Sequence, residues 1–193
     1  MFFHICRFLA WLPLAIFYPT RIKGRKNLKK GKAILSVNHT SNMDVVLLLA
    51  NTFEKKYTLA KKELFKNKMF GALLKSYGGI SIDRENADLS AIKKSLKVLN
   101  NNKKLIIFPE GTRNKNEDIS NLGKLKTGTA MLAIKSKSPI IPVWISRRPK
   151  VFRLTTITFG EPFELDQYYG KKLCEEVLEE ATEIILQKIK ELS

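Results

Sequence analysis

Cysteine is nearly missing from this chain: Cys6 and Cys174 are the only two, far apart and in no C-x-x-C pair or Cys/His cluster. That spacing excludes a zinc finger and a dithiol redox centre, and free thiols suit a reducing compartment. Histidine is equally scarce, with His4 and His39 alone. There is no G-x-G-x-x-G or G-x-x-x-x-G-K-[ST] run, so two common nucleotide-phosphate cradles are absent. No G-x-S-x-G stretch occurs either, which removes one familiar setting for a serine nucleophile. Acidic residues are few, 18 against 35 Lys and Arg, for a net charge of +17.

The basic excess is uneven. Residues 1–150 hold 30 basic and 9 acidic side chains, a balance of +21, whereas residues 151–193 hold 5 and 9, a balance of −4. A body this basic implies an anionic partner, either nucleic acid or an anionic membrane surface. Single-strand binders interleave stacking aromatics with their cations, and after residue 18 no such pattern is evident. Nucleic acid is therefore not the expected partner.

The opening MFFHICRFLAWLPLAIFY is almost wholly apolar and aromatic, yet it carries His4 and Arg7 and is interrupted by Pro13. It falls short of the roughly 20 clean residues of a spanning helix and lacks the layout of a cleaved secretory signal. Residues 1–20 are thus expected to stay on the protein as a segment lying in the membrane interface. Seven Lys or Arg follow between residues 21 and 32. Aromatic anchors beside a polybasic run form a two-signal arrangement for anionic headgroups. A buried first helix followed by a charged loop is the plainer alternative.

Residues 21–193 suit one domain, long enough to bury about 70% of its unfolded surface. Runs rich in Ile, Val and Leu at 33–37, 57–60, 80–82, 105–108, 140–145 and 154–159 predict strands. Between them, helical spacing predicts helices at 44–51, 63–77, 88–100 and 127–135, and an amphipathic closing helix at 171–192. The alternation implies an α/β fold with a mixed, mainly parallel sheet flanked by helices.

Ligands of open α/β sheets bind beyond the carboxyl ends of the strands. The polar bends there read Asn38-His39-Thr40-Ser41-Asn42-Met43-Asp44, Asp83-Arg84 and Pro109-Glu110-Gly111-Thr112-Arg113. Ser41 and Asp44 have the S-x-x-D spacing of a helix capping box, and the same Asp44 can fold back onto His39. A neutral imidazole so held can take a proton from an attacking alcohol, with amides at the helix start stabilising the carbonyl charge. Taken alone, the Phe108–Arg113 loop reads as an ordinary turn, with a phosphate site built from Gly111 amides and the Arg113 guanidinium as the alternative. Arg84 offers a second cation or a surface ion pair.

Taken in order, these bends resemble the conserved blocks of the 1-acyl-sn-glycerol-3-phosphate O-acyltransferase (lysophosphatidic acid acyltransferase) family of glycerophospholipid acyltransferases. The resemblance spans at least residues 19–166. It implies that His39 is the catalytic base and Asp44 its orienting partner. It further implies that Arg84, Glu110, Gly111, Thr112 and Arg113 bind the phosphorylated acceptor, and that Ile140-Ile141-Pro142-Val143 belongs to the acyl side of the pocket or to its structure. One departure is Lys68, where the family commonly has Pro; another is the short, interrupted apolar start.

The implied reaction moves a fatty acyl group from acyl carrier protein or coenzyme A to the sn-2 hydroxyl of lysophosphatidic acid, giving phosphatidic acid, with no metal and no cofactor beyond the donor. Glycerol-3-phosphate or another lysophospholipid is the alternative acceptor. The expected setting is the cytoplasmic face of the cell membrane, peripheral or monotopic, against anionic lipids.

Overall fold

The structure is a computed structural model describing residues 13–28, 30–52, 54–83, 88–116 and 118–193. Seven strands form one sheet: β1 (Thr20–Lys23), β2 (Ala33–Val37), β3 (Lys56–Lys61), β4 (Gly79–Ile82), β5 (Lys104–Ile107), β6 (Ile140–Ile145) and β7 (Thr155–Phe159). Their spatial order is β1-β7-β6-β2-β5-β3-β4, and every pairing is parallel except β6 with β7. The helices are α1 (Met43–Ala50), α2 (Lys68–Ser76), α3 (Leu89–Asn100), α4 (Gly128–Ser136) and α5 (Glu175–Lys190).

Strand periodicity sorts the buried apolar residues into two cores. Ile34, Leu105, Ile107 and Ile140 face α3, α4 and α5, meeting Leu99, Leu132, Ala133 and Ile185. Leu35, Val37, Ile106, Ile141 and Val143 face the other way, with Leu47 and Leu48 of α1 over them. A sheet covered on both faces needs apolar residues at successive positions, which is why β2, β5 and β6 read as continuous runs. Pro142 sits buried inside β6, and its carbonyl accepts the Gly160 N–H at 2.8 Å.

This topology creates the site. The chain leaves β2 for α1 on one face and leaves the adjacent β5 for α4 on the opposite face, so the two exits diverge. A crevice at such a switch point, outside the carboxyl ends, is where open α/β sheets take ligands. His39 follows β2 and Glu110 follows β5.

Two expectations change. The single helix at 63–77 is a 3-10 turn (Lys62–Phe65) followed by α2, because the chain folds back until Gly71 lies against the Phe65 carbonyl. A Cβ on Gly71 would stand 2.9 Å from that oxygen. Lys68 is the first residue of α2, a position that also accepts proline, so the departure leaves the helix start in place. The basic stretch after residue 20 holds β1, an edge strand whose Arg21 and Lys23 face solvent. Charge on an edge strand discourages pairing with other chains, and here it hides the strand's alternation.

Of the expected interface segment, residues 1–12 lie outside the described residues; residues 13–17 are helical, with Ile16 and Phe17 exposed. Among the described residues no helix is long and apolar enough to cross a membrane.

Candidate active site

Helix α1 begins four residues after His39, which brings Asp44 back under the bend. The Asp44 side chain is completely buried and His39 nearly so. One oxygen, Asp44 Oδ2, accepts three hydrogen bonds: from His39 Nδ1 at 3.0 Å, Thr40 N–H at 2.7 Å and Ser41 N–H at 2.7 Å. Thr40 Oγ1 donates to the other oxygen at 3.3 Å. Capping and histidine orientation are thus performed by the same carboxylate. A ring held through Nδ1–H keeps Nε2 as its free basic nitrogen.

Ser41 Oγ accepts the Met43 N–H at 3.2 Å, and Asp44 N–H donates to the Ser41 carbonyl. The expectation that amides at the helix start stabilise carbonyl charge is therefore not met by Thr40, Ser41, Met43 or Asp44. The Asp44 carboxylate, the Ser41 hydroxyl and the Ser41 carbonyl have already taken those donors.

The bend is fixed from both sides. Asn38 bridges to Ile145 at the end of β6, its amide donating to the carbonyl at 3.1 Å and accepting the N–H at 2.7 Å. On the β5 side, Glu110 Oε1 accepts the His39 backbone N–H at 2.8 Å, and Asn114 N–H donates to the His39 carbonyl at 2.6 Å. The Phe108 ring lies against the imidazole, centroids 4.1 Å apart. Burial pushes the Glu110 carboxyl above its ordinary value, while the hydrogen bond from His39 opposes that shift.

Glu110 thus clamps the histidine, whereas Thr112 and Arg113 are exposed beside it. Gly111 has a φ of 70°, and a Cβ there would stand 2.8 Å from Lys126 Cε. The Lys126 stem therefore lies across the loop, and the Lys126 backbone N–H donates to the Pro109 carbonyl at 2.8 Å. Sequence reasoning quoted Phe108 with its loop but gave neither it nor Asn114 a role, and it passed over Lys126; Lys126 sits in no motif, and only the return of the chain before α4 brings it here.

A groove of about 320 Å³ meets the dyad through Phe108, which lines it and lies against His39; its other walls are Leu59, Ile82, Ile92, Ile107, Met131 and Leu132, with Gly111 and Lys126 at its polar side. Asp83 lines it too, so the β4 exit shares this space. Asp83 pairs with Lys62 at 2.6 Å and donates its N–H to Asp88, whose carboxyl is held below its usual range by that bond and by the N–H of Ala91. Arg84 itself lies outside the described residues. Ile140-Ile141-Pro142-Val143 does not line the groove; it is buried strand.

The family model described as Acyltransferase matches residues 19–146. A Bacillus subtilis protein named 1-acyl-sn-glycerol-3-phosphate acyltransferase is 31% identical over 89% of this chain and 87% of its own length. The Escherichia coli protein of the same name is 33% identical over 84% of this chain and 69% of its own length. A Streptococcus pneumoniae protein, again so named, is 33% identical over 76% of this chain, which spans 54% of that relative. The solved structure of a Thermotoga maritima 1-acyl-sn-glycerophosphate (LPA) acyltransferase, PlsC, superposes with a TM-score of 0.70 at 23% identity, covering 96% of this chain and 76% of that one. The fold agrees with that structure, and the family match reaches from the β1 side through the His39, Glu110 and β6 segments: this chain belongs to the acyltransferase family.

Proposed function

We propose that the protein transfers a fatty acyl group from a thioester, on acyl carrier protein or coenzyme A, to the sn-2 hydroxyl of lysophosphatidic acid. The observation that carries this reading is the buried His39–Asp44 hydrogen bond at 3.0 Å, set beside an exposed Arg113 and an apolar groove. His39 Nε2 removes the proton of the acceptor hydroxyl as its oxygen attacks the thioester carbonyl. The C–O bond forms, the C–S bond breaks, and the imidazolium returns its proton to the departing thiolate. Asp44 stabilises the imidazolium meanwhile; general-base catalysis of this kind is worth about 10²–10⁴ in rate.

Arg113 and Lys126 are the cations for the acceptor phosphate, and the groove behind Phe108 takes a hydrocarbon chain. Glu110 acts through the backbone of His39 as a positioning residue. The names of the relatives support lysophosphatidic acid as acceptor. The basic body matches anionic lipids on one side and an acidic carrier protein or the coenzyme A phosphates on the other. Since both donors are cytoplasmic, the site belongs at the cytoplasmic face of the membrane, with the protein peripheral or monotopic.

Purified full-length protein, given acyl-coenzyme A or acyl-carrier protein and either lysophosphatidic acid or glycerol-3-phosphate, tests this through thiol release and product identity. Phosphatidic acid from lysophosphatidic acid is the expected product. Faster turnover of glycerol-3-phosphate would overturn the acceptor, and no thiol release from folded protein would overturn the reaction.

A further inference from the structure

The β6–β7 connection, residues 146–154, reads Ser-Arg-Arg-Pro-Lys-Val-Phe-Arg-Leu: four cations, no acid, and three large apolar residues. Hairpin connections exposed to water favour Gly, Asn, Asp and Ser, which take tight conformations without strain. Here the turn closes through the Arg153 N–H on the Lys150 carbonyl at 3.1 Å, which puts Val151 and Phe152 at its corners. Phe152 adopts a φ of 58°, a left-handed conformation that suits Gly or Asn and strains a bulky side chain. Its side chain is nevertheless 69% exposed, with Val151 at 47% and Leu154 at 44%. In water, neither the strain nor the apolar exposure is compensated.

Two further observations say where this tip points. The Phe152 N–H donates to the Phe17 carbonyl at 2.7 Å, and the two rings lie 5.5 Å apart. Ile16 and Phe17 are themselves 56% and 46% exposed, so the tip extends the apolar N-terminal segment into a single surface. The same connection reaches the catalytic end of the sheet: Arg148 donates to the Asn114 carbonyl at 3.2 Å, and Asn114 N–H holds the His39 carbonyl.

We propose that residues 146–154 form a membrane-insertion loop for an anionic phospholipid bilayer. Val151, Phe152 and Leu154 enter the boundary between headgroups and acyl chains, while Arg147, Lys150 and Arg153 engage headgroup phosphates. Aromatic and cationic side chains side by side match that boundary, the ring taking the apolar layer and the cations the phosphates. The inference rests on the lipid-acyltransferase reading above and deepens it: with residues 13–17 as one contact and this loop as a second, the bilayer fixes the tilt of the domain and brings the His39 crevice to the lipid surface. An acidic protein would answer the cations but leave the strained, exposed ring without a function.

The test uses the full-length chain carrying Phe152→Trp, mixed with vesicles of phosphatidylglycerol and phosphatidylcholine with brominated acyl chains. Relative to the parent chain with Trp11 and Trp144, the variant is expected to show additional blue-shifted emission that bromine quenches, and to lose it on pure phosphatidylcholine. A second variant, Phe152→Asn, relieves the left-handed strain, so it should melt at the same or a higher temperature while its vesicle-bound fraction falls severalfold. Its thiol release with a monomeric short-chain lysophosphatidate should match the parent's. Absence of additional quenching in vesicle-bound protein would overturn the proposal, as would a blue shift produced by acyl carrier protein without vesicles. If the parent fails to turn over the short-chain acceptor while the quenching persists, the acyltransferase reading falls and the loop assignment stands.

Discussion

Replacing Asp44 by Asn is the sharpest probe of the site, since it removes a charge and almost nothing else. Asp44 Oδ2 accepts from His39 Nδ1, Thr40 N–H and Ser41 N–H at 3.0, 2.7 and 2.7 Å. An amide oxygen can occupy the same place and keep all three bonds, but as neutral ones. Hydrogen bonds to a charged group contribute about 1.5–3 kcal/mol and neutral ones about 0.5–1.5, so each weakens by about 1 kcal/mol and the set by about 3. Relief from burying a carboxylate offsets part of that loss. A domain of ordinary stability, about 5–15 kcal/mol, remains folded. Catalysis should suffer far more, because the carboxylate no longer stabilises the imidazolium. The expected fall in kcat/KM is about 10²–10⁴-fold, or about 2.7–5.5 kcal/mol of barrier. Melting curves and thiol-release kinetics on the same preparation separate the two effects. Because His39 and Asp44 act as a unit, the double variant His39→Ala with Asp44→Asn should be about as slow as the slower single variant. An Asp44→Asn protein that melts normally and turns over within about tenfold of the parent would refute the assignment.

Arg113→Ala should raise KM for a phosphorylated acceptor by roughly ten- to a hundredfold, the worth of one charge-assisted hydrogen bond, with little change in kcat; steady-state kinetics with varied acceptor measures it. Gly78→Ala should destabilise the fold by more than about 1 kcal/mol, read as a lowered melting temperature, because Gly78 has a φ of 84° and a Cβ there would stand 2.5 Å from the Lys56 carbonyl oxygen. Glu110→Gln keeps an acceptor for the His39 N–H. Since burial raises the Glu110 carboxyl above its ordinary 4.5, its contribution to stability is present below that pH and lost as pH rises through the folded value. Denaturant titrations should therefore show the Gln variant gaining on the parent as pH increases from 4 to 7; a constant difference would contradict the shift.

Much of the fold was legible because a sheet buried on both faces writes itself as continuous apolar runs. Residues 33–37 and 140–145 were read at their observed bounds for that reason. The strand at Thr20–Lys23 was not legible, since an edge strand carrying Arg21 and Lys23 looks like any basic stretch. The helix break before Lys68 was also hidden, because it depends on Gly71 meeting the Phe65 carbonyl rather than on any local stop signal.

The pairing of His39 with Asp44 was determined by the sequence alone: five residues spanning a bend and the first helical turn can meet without help from the rest of the chain. What surrounds that pair was decided only by the tertiary structure. The diverging exits of β2 and β5 bring Glu110 and Asn114 onto the His39 backbone from seventy or more residues away. They also set Phe108 against its ring and draw Lys126 over Gly111. The alignment of Phe152 with Phe17 at the same end is likewise tertiary, because the register of β1 on β7 creates it. Local contacts follow from spacing along the chain, whereas contacts across a sheet follow from strand order, which no single segment encodes.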